Sequence, residues 1–215
     1  MLPMLTTQGD WPTLTRDSWP DTYATLHMWT QVVGKVCLAL TPLVNHFWNV
    51  TLPSAAEAFW RVLLAIRPVF DRFRSDFVGK CSPVHFFWGS FDLAVTRFSG
   101  RRAPARPDAD RITREAYSHE EISHGFWPGG GAVTEAAFYA FAAPEPEGLK
   151  TASVKPSAAY YHPDLPEFIL PYEAVRSAAS PTAELEAFLQ STYDAAADLA
   201  SWNRSDLERR TTRST

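Results

Sequence analysis

The stretch from Gly79 to Gly100, GKCSPVHFFWGSFDLAVTRFSG, constrains the fold most, because its aromatic and β-branched residues favour a β-strand. Side chains alternate between the two faces of a strand, so the odd positions from His85 to Arg97 would share an apolar core face, with Asp92 on the other. The two ends of that face would lie about 40 Å apart and could serve one site only if the strand bends at Gly89. The competing interpretation is a short helix that begins at Ser90.

Length and composition indicate a globular protein. The chain has 215 residues, of which 46% are hydrophobic, enough for one large domain or two small ones. A net charge of -4 and the lack of a basic run argue against a nucleic-acid partner. The longest apolar region, residues 32–44, is too short to span a membrane, and no export signal is found, so we expect a cytoplasmic protein. Cys37 and Cys81 are expected to be reduced packing residues.

Helical spacing and turn residues divide the chain into four segments. We expect a leader at 1–16, a first helix-strand unit at 17–53, a main α+β unit at 54–202 and a flexible tail at 203–215. The expected fold class is α+β, with an antiparallel sheet packed against helices.

The main unit is expected to begin with a helix from Ser54 to Phe77, which Pro68 should kink or divide. The segments AAFYAFAA and AAYYHPDLPEFILPY predict strands, and Ser180 with Pro181 predicts the start of a last helix. The segment REAYSHEEISHG is compatible with either a strand or a short helical turn.

One pattern occurs twice: an aromatic-rich helix, a Gly-Lys pair, a proline, and then His and Trp in a strand. This suggests a pseudo-duplicated helix-plus-sheet domain whose first unit is incomplete. The two copies are Trp29, Gly34, Lys35, Pro42, His46, Trp48 and Trp60, Gly79, Lys80, Pro83, His85, Trp88.

Five segments carry a family resemblance: TLHMWTQVVGKVCLAL, NHFW, GKCSPVHFFWGSFDLAVTRFSGR, REAYSHE and GFWPGGG. Through them the chain resembles an uncharacterised bacterial family, domain-of-unknown-function family 5996, over nearly all of residues 11–202. The resemblance implies homology without an established activity. The family pattern has further strands and a helix after NHFW, whereas Leu52-Pro53-Ser54 joins directly to the next helix here. This departure implies an exposed sheet edge that a second copy could cover, so a homodimer is possible.

One hypothesis is an enzyme that uses His119 or His85 with Glu115 for acid-base or metal chemistry, because imidazole titrates near neutral pH and binds first-row metals. Glu115 and His119 are four apart and would pair on a helical face. However, the sequence has no HExxH motif, and strand or surface histidines are usually satisfied by hydrogen bonds. No metal is therefore assigned, and the cofactor is unknown.

The first hypothesis is a small-molecule-binding protein with a pocket for an aromatic or anionic ligand. Arg97 and Lys80 could pair with an anion, although a buried Arg97 could equally form a structural salt bridge. Tyr117 and the tryptophans could line the pocket or belong to the core. A third hypothesis is a structural, oligomerising protein. The pocket of the first hypothesis is expected to contain Trp48, His85, Trp88, Arg97, His119 and Trp127.

Overall fold

A computed structural model of the protein describes residues 11–12, 52–87, 90–130 and 132–209, with the backbone alone for residues 52–56. The described residues contain a six-stranded antiparallel sheet with the order β1-β2-β3-β4-β6-β5. The predicted α+β class is confirmed. Residues 17–51, which hold most of the first unit and of the first repeat copy, lie outside the described residues. The strands are β1 (His85–Phe87), β2 (Asp92–Arg102), β3 (His119–Trp127), β4 (Ala137–Ala143), β5 (Tyr160–Tyr161) and β6 (Phe168–Pro171).

Two long helices cover one face of the sheet. Their apolar stripes supply buried side chains such as Phe70 and Phe188, each worth about 1.5–3 kcal/mol of transfer free energy. Among the described helices, none combines the length and apolar character needed to cross a membrane. The helices are α1 (Leu52–Ser75), α2 (Arg111–Ala116), α3 (Tyr172–Arg176), α4 (Pro181–Leu199) and α5 (Arg204–Leu207), with a 3-10 turn at Leu149–Thr151.

Helix α1 is not divided at Pro68, which lies inside it. Pro68 is exposed, and Leu64, whose carbonyl loses its helical donor, is 43% exposed. Because water can reach this side of α1, the lost hydrogen bond can be replaced, while the opposite side remains buried against the sheet.

The expectation of one continuous strand before Gly100 is wrong, because the chain reverses between Phe87 and Asp92. These two residues pair across the hairpin of β1 and β2, and Phe91 has a left-handed φ of 57°. His85 pairs with Ala94 and therefore shares a face with it. His85 is thus on the face opposite Arg97, not on the same face.

The register gives the sheet two distinct faces. The helix-covered face carries Val95, Ile122, Phe126 and other buried apolar residues. We call the second surface the Asp92 face. It carries His85, Phe87, Asp92, Ala94, Thr96, Phe98, Glu121, Ser123, Gly125, Trp127, Ala137, Tyr139, Phe141 and Ile169, and the loop residues Val133 and Leu165 pack against it.

The start of the expected flexible tail packs against the main unit. Arg204 of α5 forms ion pairs with Asp194, Asp198 and Glu208. The Val78 N–H donates to the Leu207 carbonyl at 2.8 Å. These contacts join the described residues 203–209 to α4 and to the end of α1.

Candidate functional site

Small residues form the floor of the Asp92 face. Ala94 of β2 pairs with Gly125 of β3, and Gly125 pairs on its other side with Tyr139 of β4. Ala137 is fully buried beside them. With so little side-chain volume in the floor, a large side chain from a neighbouring strand can lie flat across it.

Tyr139 crosses this floor and reaches Asp92. Its phenol lies directly over Gly125, and its hydroxyl donates a hydrogen bond to Asp92 Oδ2. A Cβ at residue 125 would overlap the phenol ring. Gly125 is therefore required by the close approach of Tyr139, which is a recurrent reason for glycine inside a strand.

Asp92 is a buried charged group of this face, as is Glu121. Its side chain is 4% exposed, and its Oδ1 atom has no hydrogen-bond partner in the described part of the chain. Burial raises the pKa of Asp92, opposed mainly by the hydrogen bond from Tyr139. Ser90 and His85 also lie close enough to lower this pKa, although Ser90 forms no hydrogen bond with Oδ1. A buried acceptor without a donor costs about 1–3 kcal/mol.

Two further carboxyl groups lie along the same side. Burial raises the pKa of Glu121 to about 7, against the opposing charge of Arg106, and burial also raises the pKa of Glu167 to about 7. Between Glu121 and Asp92, the hydroxyls of Thr96 and Ser123 are 2.9 Å apart. This end of the face therefore changes charge near neutral pH.

Several residues predicted for the pocket lie on or near the Asp92 face. The exposed His85 ring is 4.2 Å from the Phe87 ring, and the Trp127 ring is 6.3 Å from the Tyr139 ring. Burial raises the pKa of Tyr139 most, and the charge of Asp92 is the next cause. Tyr117 is close enough to add to this increase. Trp48 and Trp88 lie outside the described residues.

Arg97 lies on the opposite face and is 1% exposed. Its guanidinium carbon is 3.4 Å from the centroid of the Phe73 ring and 4.3 Å from that of Tyr193, and its Nη2 donates to the Phe73 carbonyl. Burial lowers the pKa of Arg97 to about 10. Within the described ranges no carboxylate forms an ion pair with Arg97, and aromatic rings pack against its guanidinium instead of a salt-bridge partner.

His119, Glu115 and His85 are not brought together as an acid-base site. Glu115 lies in α2, and its Oε1 atom forms an ion pair with Arg111 Nε at 2.8 Å. His119 begins β3, and its Nδ1 atom lies 3.1 Å from the Ser118 hydroxyl oxygen. His85 lies on the edge strand β1. Because the boundary between α2 and β3 falls between Glu115 and His119, their helical pairing is lost.

Lys80 lies over the Phe98 ring, 5.3 Å from its centroid. Phe98 occupies the end of the Asp92 face, and residues 92 and 98 are about 20 Å apart along a strand. Lys80 is therefore remote from Asp92.

In the ranges that the structure describes, no group of three or more His, Cys, Asp or Glu side chains could hold a metal ion.

Sequence reasoning assigned Tyr139 only to a strand or the core, and it treated Gly125 only as a possible hinge glycine of the segment GFWPGGG. The glycine within HEEISHGFW was the available signal, because glycine in a strand often marks a close approach. It could not reveal which side chain approaches, since Tyr139 and Asp92 are 47 residues apart in sequence.

The family model of DUF5996, a family of unknown function, matches residues 11–56 and 52–209. The chain belongs to the DUF5996 family. The two matched segments overlap at residues 52–56. Membership of DUF5996 supplies no activity, so the function must be argued from the site. No curated protein and no solved structure matches the chain.

Proposed function

We propose that this protein binds a small molecule on the Asp92 face. The observation that carries the proposal is the Asp92 carboxylate, which is buried and whose Oδ1 atom has no hydrogen-bond donor in the described part of the chain. Buried polar atoms almost always have a hydrogen-bond partner, so an unpaired one points to a partner outside the protein chain. A ligand N–H or O–H group on Oδ1 would supply that partner.

The surroundings of Asp92 suit a ligand that is largely apolar. Small-molecule sites combine apolar and aromatic walls with a few polar anchors. Here Phe87 and Trp127 lie on the two strands beside Asp92, and the Tyr139 phenol covers Gly125 of the floor. Phe87 is 43% exposed, so the site is open on the β1 side.

The enzyme alternative has less support, because its three residues do not converge. The anionic ligand first expected also loses its main support, because Arg97 lies on the other face. The small-molecule hypothesis is thus retained with Trp127, His85 and Tyr117 near its site, and with Asp92 and Tyr139 as its polar centre.

A fragment screen by ligand-observed NMR tests this function. The protein, its Asp92→Asn variant and an Asp110→Asn control would be compared. Asp110 is the exposed N-cap of α2, whose side chain accepts from the Thr113 N–H, and Asn preserves this cap. We expect fragments that bind the wild type and the control but lose binding to Asp92→Asn. Fragments that bind all three proteins equally, or a protein that binds none, would contradict the proposal.

A further inference from the structure

Asp92 lies between two aromatic side chains. It pairs with Phe87 of β1, and by continuation of the register from Leu93 and Phe126 it lies opposite Trp127 of β3. The third aromatic group is Tyr139, whose hydroxyl occupies Oδ2. Oδ1 therefore lies among three aromatic side chains and has no donor in the described part of the chain.

Asp92 forms no ion pair in the described part of the chain. Burial raises the pKa of Asp92, and the hydrogen bond that Tyr139 donates opposes this and favours the ionised carboxylate. The charge of His85 also acts on Asp92, but less than burial or the Tyr139 hydrogen bond does. Arg97 is on the other face, and Arg106 and Lys80 lie near Glu121 and Phe98, at the far end. A buried carboxylate without a counter-charge is strongly unfavourable.

This chemistry distinguishes between possible ligands. Several His, Cys, Asp or Glu side chains would be needed to hold a metal ion, and the described residues contain no such group. A ligand anion would be repelled by Asp92 and by ionised Glu121 and Glu167. A neutral hydroxyl would satisfy Oδ1 but leave the charge, whereas a protonated amine supplies both a donor and a positive charge. Aromatic faces also attract organic cations.

We propose that the ligand group at Asp92 is a protonated amine on an organic molecule, held by Asp92 Oδ1 between Phe87, Trp127 and Tyr139. This inference rests on the proposed function, since it assigns a chemical class to the same site. The amine N–H donates to Oδ1, and the attached carbon skeleton lies against Phe87 and Trp127.

Three matched probes test the inference: 2-phenylethylamine, 2-phenylethanol and phenylacetate, which share one ring and differ in charge. Their affinities would be measured by calorimetry at pH 7.5. We expect the amine to bind at least about tenfold more tightly than the alcohol, as for a charge-assisted hydrogen bond, and phenylacetate to bind most weakly.

Two variants locate the effect. Asp92→Asn should weaken amine binding at least about tenfold and leave the alcohol unchanged, because Asn still accepts from Tyr139. Phe87→Leu, at an exposed position that tolerates substitution, should weaken the amine about threefold or more through lost cation–π contact. Trp60→Leu is its matched control, since Trp60 is 59% exposed on α1. A circular dichroism melt checks that each variant is folded.

Equal or tighter binding of the alcohol or the acid overturns the amine assignment. If that binding still depends on Asp92, the proposed small-molecule function stands and only the ligand class is wrong. Binding by none of the three probes also overturns the assignment, and the fragment screen then decides the function separately. Amine binding that is unaffected in both Asp92→Asn and Phe87→Leu overturns the assigned location.

Discussion

Replacing Gly125 with alanine should disrupt the polar centre of the Asp92 face. The backbone at Gly125 lies outside the left-handed region, so alanine can adopt its conformation without strain. The added methyl group would overlap the Tyr139 ring and force it away from Asp92. The substitution thus acts through one identified contact.

Two effects set the size of this change. Losing a hydrogen bond to a charged acceptor costs about 1.5–3 kcal/mol. Adding a methyl group to a packed region costs about 1–3 kcal/mol, although movement of the phenol relieves part of it. Alanine in place of glycine returns about 0.5–1 kcal/mol through lower unfolded-state entropy. We therefore expect Gly125→Ala to lower the free energy of unfolding by about 2–4 kcal/mol.

Urea unfolding followed by tryptophan fluorescence measures this loss, and the chain has 8 tryptophans. A double-mutant cycle with Tyr139→Ala isolates the contact. Without the phenol, Gly125→Ala should change the stability by less than about 0.5 kcal/mol or increase it. An equal cost in both backgrounds, or no cost in the wild type, would refute the placement of Tyr139 over Gly125.

Two further predictions concern buried charges. Arg97→Met should keep the stability within about 1 kcal/mol of wild type or raise it, because it removes an uncompensated charge and keeps the packing against Phe73, whereas Arg97→Ala should cost about 2–4 kcal/mol through a cavity. Thermal unfolding compares them, and an equally large loss in both would show that the guanidinium itself stabilises the fold. Glu121 has its pKa raised from 4.5 to about 7, so the folded state binds more protons and its stability falls as pH rises through this window. This pKa change corresponds to at most about 3.4 kcal/mol of stability, which solvent screening reduces to about 1–2 kcal/mol. The free energy of unfolding of Glu121→Gln relative to wild type should therefore be about 1–2 kcal/mol larger at pH 8 than at pH 4.5. A difference between the two proteins that does not vary with pH would contradict the burial of Glu121.

Local periodicity was sufficient to predict most elements of the described fold. The apolar spacing of α1 is strong because one side of the helix is buried along its length, as at Val62, Ile66 and Phe70. The alternation in AAFYAFAA likewise predicted β4, which is buried within the sheet. These patterns follow directly from which side chains are buried, so the elements that they predict are present in the structure.

The hairpin after β1 was missed for a local reason. The residues between Phe87 and Asp92 include Gly89-Ser90, a pair that can mark a tight reversal. Because aromatic residues lie on both sides of it, Gly89 was interpreted as a bend within one strand. Because of the reversal, His85 and Arg97, two residues of the predicted pocket, lie on opposite faces of the sheet.

The site itself depends on contacts that no local pattern encodes. Asp92 was noticed because a carboxylate is unusual on a strand face, but its partner Tyr139 comes from β4, two strands away. The burial of Arg97 was anticipated, but the groups that pack against its guanidinium are the rings of Phe73 and Tyr193, from two helices. Such pairings become visible only when the sheet register and the helix positions are known.

The most direct test of the central claim is native mass spectrometry of the freshly purified protein beside its Asp92→Asn variant. The wild type should retain an organic molecule, or take up 2-phenylethylamine when it is added, and the variant should carry neither at the same concentration. Wild type and variant spectra that show the same bound masses would contradict a binding site at Asp92.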